Sequence, residues 1–159
     1  MNLAGGALLD IGVYALSIVR SFMTEKPADI VSQWKPSPAG SDEQAAILLK
    51  NKDGQMATVA LSLHSKQPKR AMISCEKGYI EIMEYPRADR AKIVDASTGE
   101  KKEISCGKTE DALFYEMTDM ERAVESGDET EMYLNYTKDV MDIMTGLRRE
   151  WGLKYPEEM

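Results

Sequence analysis

Three tight-turn sequences limit the fold more than any other feature of the chain. Asn51-Lys52-Asp53-Gly54, Glu76-Lys77-Gly78 and Ala96-Ser97-Thr98-Gly99 each separate two short runs of strand-forming residues. The runs are 43–50 and 55–64, 70–75 and 79–83, and 91–95 and 101–105. A glycine late in such a turn supplies the positive φ that tight hairpins require. Three hairpins in succession predict a largely antiparallel arrangement. A shorter run, 29–35, adds a strand ahead of them, closed by Pro36-Ser37-Pro38-Ala39-Gly40.

Helical spacing flanks this block. Leu8, Ile11, Ala15, Ile18, Val19 and Phe22 predict a helix over 7–23, starting beside Gly5-Gly6 and stopped by Pro27. Downstream, Thr109 is a candidate cap for a helix over 111–126, with Met117, Met120, Ala123 and Val124 as its apolar stripe and Gly127 as its end. A last helix, 136–151, turns Val140, Ile143, Met144 and Leu147 inward and stops at Gly152. Helix, strands, then helices is an α+β order: an open, predominantly antiparallel sheet with helices packed on one face. The 159 residues read as one domain.

The strand 55–64 carries Ala57, Val59, Leu61 and Leu63 on one face, and Met56, Thr58, Ala60 and Ser62 on the other. A half-solvated strand alternates more cleanly. Both faces therefore call for cover, the second by another subunit or by loops and the first helix.

Composition excludes several classes of function. A net charge of −7 argues against a nucleic-acid partner. No apolar run approaches the roughly 18 residues of a membrane span. Cys75 and Cys106 are too few for a disulfide framework or a four-ligand zinc site, the single histidine, His64, weakens a metal or Ser-His-Asp reading further, and no metal site is expected. Such a chain fits a reducing, cytoplasmic setting. His64 reads as a loop residue, the cysteines as strand residues without a redox role, the 11 methionines mostly as packing residues, and Trp34 and Trp151 as partly buried anchors.

The chemistry concentrates in Gly5-Gly6-Ala7-Leu8-Leu9-Asp10-Ile11-Gly12-Val13-Tyr14. Paired glycines let the backbone approach a ligand or another chain. Asp10 falls in an apolar run, and Tyr14 follows at i+4 on the same helix face. Spacing alone leaves two options: a functional carboxylate–phenol pair, or an aspartate bonded to local backbone beside a core tyrosine.

This segment resembles the signature of the glucose–fructose oxidoreductase/inositol dehydrogenase (Gfo/Idh/MocA) family, and most closely its dihydrodiol dehydrogenase branch, with Ala4 in place of a first glycine. Asp42-Glu43-Gln44-Ala45 with Asp53-Gly54-Gln55-Met56-Ala57, then Glu76-Lys77-Gly78-Tyr79-Ile80-Glu81-Ile82 and Phe114-Tyr115-Glu116-Met117, are similar to later family segments. So is the ending Trp151-Gly152-Leu153-Lys154-Tyr155-Pro156-Glu157. The resemblance implies the C-terminal substrate-binding and oligomerisation domain of a larger two-domain oxidoreductase. Such an enzyme transfers hydride between NAD or NADP and a sugar, polyol or diol. The cofactor would be bound mainly by an N-terminal Rossmann domain, absent here: the sequence has no G-x-G-x-x-G, so this chain alone is expected to bind no cofactor and to be inactive. The resemblance further implies that Asp10 orients substrate, Tyr14 exchanges a proton with it, Gly5 and Gly6 lie at the site's edge, and the sheet forms a homodimer. A stand-alone dimerisation or ligand-binding module is the alternative. Glu25-Lys26-Pro27 resembles the family's catalytic E-K-P but follows the signature helix instead of preceding it, so Lys26 reads as a solvated loop residue.

Overall fold

The computed structural model describes residues 5–154. Among these residues it is α+β, with seven strands, all paired antiparallel, and three α-helices. The strands divide between two sheets, β1-β2-β3 and β4-β5-β6-β7. The chain falls correspondingly into two compact units, Met1–Gln67 with Asn135–Met159, and Pro68–Leu134.

In the first unit the chain enters through a π-helical turn, Leu8–Gly12, that continues into α1, Val13–Phe22. Leu8, Gly12, Ala15, Leu16 and Arg20 are buried along one side. The sheet follows: β1 (Asp29–Pro36), β2 (Asp42–Lys50) and β3 (Met56–Ser62). The β2–β3 turn closes through Asn51, whose Oδ1 accepts from the Gln55 amide at 2.9 Å, while Gly54 takes φ +83°. One face of the sheet is core: Ala45, Ile47, Leu49, Val59 and Leu61 are buried together with Leu8 and Leu16. The opposite face, with Val31, Ala46, Leu48, Met56, Thr58 and Ala60, is exposed. Among the described residues, then, one face of this sheet is buried and the other exposed.

The last helix, α3 (Leu134–Glu150), buries Val140, Ile143, Met144 and Leu147 as its spacing predicts. It ends against β1. Trp151 stacks on Trp34 at 5.5 Å between ring centroids, and its Nε1 donates to Ser32 Oγ at 2.8 Å. Gly152 stops the helix at φ +68°. Arg20 ties α1 to α3. Its Nε donates to Asp139 Oδ2 at 2.7 Å, its Nη1 to the Met23 carbonyl at 2.9 Å, and its guanidinium lies 4.2 Å above the Tyr136 ring. Lys26 is an exposed loop residue, as expected, and its Nζ reaches Asp142 Oδ2 at 2.6 Å.

The second unit holds β4 (Arg70–Cys75), β5 (Gly78–Met83), β6 (Arg90–Asp95), β7 (Lys101–Ser105) and α2 (Ala112–Ser126). Asp95 organises the β6–β7 turn. Its Oδ1 accepts from the Ser97 hydroxyl at 2.6 Å and from the Thr98 and Ser97 amides at 2.9 and 2.8 Å, which together hold its carboxyl down at about 2. Gly127 ends α2 at φ +71°. Two expectations fail here. Thr109 opens a 3-10 turn, Thr109–Asp111, and its hydroxyl donates to the Arg87 carbonyl at 2.9 Å instead of capping α2. The predicted stripe of α2 is not inward: Met117 and Val124 are 70% and 76% exposed, and no residue of the helix is buried. The methionines likewise mostly face outward; Met56, Met72, Met83, Met117, Met120 and Met141 are exposed, and Met23 and Met144 are buried.

Candidate functional site

The helix that follows Gly5-Gly6 presents two different sides. Its inner side packs closely on β3 at Gly12: a Cβ there would stand 3.0 Å from Leu61 Cδ1. Its outer side is formed by Asp10, Tyr14, Ser17 and Ser21, all exposed. Asp10 and Tyr14 therefore share one open face, with Tyr14 51% exposed. The core-tyrosine option is excluded, and Asp10 is not a buried carboxylate. Neither side chain is held by a hydrogen bond or ion pair among the described residues. Both can turn to a ligand, Asp10 as an acceptor and Tyr14 as donor or acceptor.

The glycine pair has a structural reason that spacing alone did not reveal. Gly6 adopts φ +137°, and a Cβ on it would fall 1.9 Å from Asp42 Oδ1. No L-residue fits both constraints. Gly5 is half-buried, with nothing within 4 Å of a Cβ placed on it. Asp42, from the start of β2, is 1% exposed and accepts the Leu8 amide on Oδ2 at 2.6 Å. It thus satisfies a donor at the helix start that would otherwise lack a partner. Burial pushes its carboxyl above the usual carboxylate range, and the Leu8 bond opposes that rise. Sequence reasoning assigned Asp42 no role. The available signal was a glycine that must yield room to something.

Next to it, Glu43 is also buried and accepts from Lys35 Nζ at 2.7 Å, which holds its carboxyl below the ordinary value. The His64 imidazole is exposed, with Nε2 3.7 Å from Glu43 Oε2. Cys75 and Cys106 are exposed and unbridged. Among the described residues no cluster of three or more His, Cys, Asp or Glu is arranged to hold a metal, and no helix is long and apolar enough to cross a membrane. Ala4 and Tyr155-Pro156-Glu157, which belong to the sequence resemblance, lie outside the described residues.

Comparison with known proteins decides the family. The profile of the GFO/IDH/MocA C-terminal domain matches residues 1–81. The chain belongs to this family. Trans-1,2-dihydrobenzene-1,2-diol dehydrogenase of Danio rerio is 24% identical over 168 residues, spanning 99% of the chain and 49% of the relative. UDP-N-acetylglucosamine 3-dehydrogenase from Acidithiobacillus ferrooxidans superposes with TM-score 0.72 at 18% identity, covering 89% of this chain and 47% of that one. A 3-ketoreductase from Actinomadura kijaniata, in complex with TDP-benzene and NADP, superposes with TM-score 0.70 at 16% identity, covering 92% and 48%. The chain spans about half the length of the proteins it matches.

The described residues do not fit the dinucleotide that this family implies. A pyrophosphate is cradled by a glycine-rich turn between a strand and a helix N-terminus. The described helix that begins at a glycine pair follows no described strand, and its Leu8 amide is already occupied by the Asp42 carboxylate.

Proposed function

We propose that this chain is the substrate-binding and oligomerisation domain of an NAD(P)-dependent oxidoreductase acting on a sugar, polyol or diol. One observation carries the reading: the Asp10–Tyr14 pair of the family-like motif lies on the open side of a helix whose other side is locked into the core. Asp10 accepts a substrate hydroxyl and orients it. Tyr14 Oη exchanges a proton with the reacting oxygen as a general acid or base. A free phenol has a pKa near 10, so this work at neutral pH needs a cationic neighbour. In this reading that neighbour and the dinucleotide come from a separate nucleotide-binding domain, and Gly5 and Gly6 border the substrate.

The exposed face of β1-β2-β3 supports pairing of two copies. Val31 and Met56 are 65% and 62% exposed on it, beside Ala46, Leu48 and Ala60. An apolar patch of this kind marks an interface. The setting proposed is cytoplasmic.

Two assays test the reading. Titration calorimetry of NAD+, NADP+ and their reduced forms into this chain should show no micromolar binding, and the enzyme that carries it should oxidise polyols or aldoses with NAD+ or NADP+ as the hydride acceptor. Micromolar binding by the chain alone, or no NAD(P)-linked turnover across polyols, aldoses and vicinal diols, would overturn it.

A further inference from the structure

Three costly features meet at one point of the fold. Asp42 is 1% exposed, yet its Oδ1 has no hydrogen-bond partner among the described residues. Gly6 holds φ +137° against that same oxygen. After Ala7, the five residues Leu8–Gly12 form a π-helical turn. A buried polar atom without a partner is expensive and calls for an explanation. Residues in sparsely populated backbone regions concentrate where a site needs geometry that the chain would not otherwise hold, and single π turns are frequent at functional sites. A serine or asparagine at the helix start would cap it without burying a charge. Here the acceptor comes instead from a strand 34 residues away in sequence.

These features gather at the helix start that carries Asp10 and leads to Tyr14, with Asp10 inside the π-helical turn. The Asp42 carboxylate fixes the Leu8 amide, and the Asp10 amide donates back to the Gly6 carbonyl at 3.1 Å. The segment from Gly6 to Asp10 is thus pinned at both ends, and its π turn sets the rotation at which Asp10 and Tyr14 leave the helix. We infer that Asp42 is a positioning residue: through its bond to the Leu8 amide and its fit against Gly6, it sets the direction in which the Asp10–Tyr14 pair faces the substrate. This rests on the proposed role of Tyr14. It adds a residue that touches no substrate and acts through the helix start.

The test uses the enzyme that carries this chain and the variants Asp42→Ala, Asp42→Asn, Tyr14→Phe and Asp42→Ala/Tyr14→Phe, with kcat and KM measured separately. Small misplacements of a reacting group cost about 100-fold. Asp42→Ala should therefore lower kcat about 10- to 100-fold with KM changed less than about threefold. Asp42→Asn keeps a carbonyl acceptor for Leu8 and should recover most of the loss. Groups that act as a unit are strongly non-additive. In the Tyr14→Phe background, Asp42→Ala should therefore cost less than about threefold. A purely structural cap predicts the same fractional loss in both backgrounds, and that result would overturn the inference, as would wild-type kcat in Asp42→Ala. If Tyr14→Phe itself turns over normally, the role of Tyr14 has failed and takes this inference with it; that arm separates the two failures. A readout independent of activity covers the case in which Asp42→Ala does not fold. In the chain itself, the Leu8 amide resonance should shift as Asp42 titrates, and this shift should vanish in Asp42→Asn. A Leu8 amide indifferent to both pH and Asp42→Asn removes the bond on which the inference stands.

Discussion

Replacing Arg20 by methionine should destabilise the first unit by about 2–4 kcal/mol, an estimate in line with what breaking one side of a buried ion pair costs. Methionine keeps most of the arginine stem, so packing against α3 is largely preserved and the loss is electrostatic. Three interactions go: the 2.7 Å bond to Asp139, the 2.9 Å bond to the Met23 carbonyl, and the cation lying 4.2 Å over Tyr136. Hydrogen bonds to charged groups contribute roughly 1.5–3 kcal/mol each, and a partly desolvated cation–π contact about 1 kcal/mol. Against this, a buried apolar methionine no longer carries the desolvation cost of a guanidinium. Asp139 recovers part of its loss as well, because its side chain is 20% exposed and Lys26 Nζ stands 3.9 Å from Oδ1. With a urea m-value of about 2 kcal/mol/M, the midpoint should fall by about 1–2 M. Urea unfolding followed by circular dichroism at helix and sheet wavelengths measures it. Asp139→Asn should cost less, and the double variant should show a coupling above about 1 kcal/mol. A midpoint shift below about 0.3 M, or additive single effects, would refute the argument that this pair fastens α1 to α3.

Three further expectations are open to direct measurement. Trp151→Ala removes a nearly buried ring from the Trp34 stack and leaves the Ser32 hydroxyl without its indole donor, so it should cost about 3–5 kcal/mol, read from the same urea titration. Asp95 is held down at about 2 from an ordinary 3.8, so the stability it contributes is complete above about pH 4 and is lost as pH falls through 2; the wild-type minus Asp95→Ala difference in melting temperature should close over that window and stay flat between pH 5 and 8. If two copies pair through the exposed face of β1-β2-β3, Ala60→Glu at its centre should shift sedimentation from dimer to monomer with folding intact; a monomeric parent chain, or a dimer unmoved by Ala60→Glu, would exclude that face.

Much of the fold is written in local chemistry. The turns at Gly54 and Gly99 carry positive φ, and the α3 stripe packs where a 3.6-residue period puts it, because each signal answers to neighbours a few residues away. The spacing of α2 is just as regular, yet Met117 and Val124 remain exposed: periodicity reports that a helix has an apolar side, not that this chain supplies its cover. The division of seven strands into two sheets was equally hidden, since hairpin turns fix pairing within a ribbon and are silent about what joins one ribbon to the next. As candidates, Asp10 and Tyr14 stood out by their i+4 spacing and their motif. Whether they faced core or solvent was not legible, because both residues suit either environment. Asp42 escaped notice for a plainer reason: its partner is an amide 34 residues distant, and backbone donors leave no trace in side-chain identity. Gly6 was the visible half of that contact.

Tyr14 is the residue on which the functional account turns. Tyr14→Phe keeps the ring and removes only the hydroxyl, at a position 51% exposed where packing losses are small. In the enzyme that carries this chain, kcat should drop about 10²- to 10⁴-fold while the melting temperature stays within a degree or two of the parent. Turnover within threefold of the wild type would contradict the account and return the tyrosine to an ordinary surface aromatic.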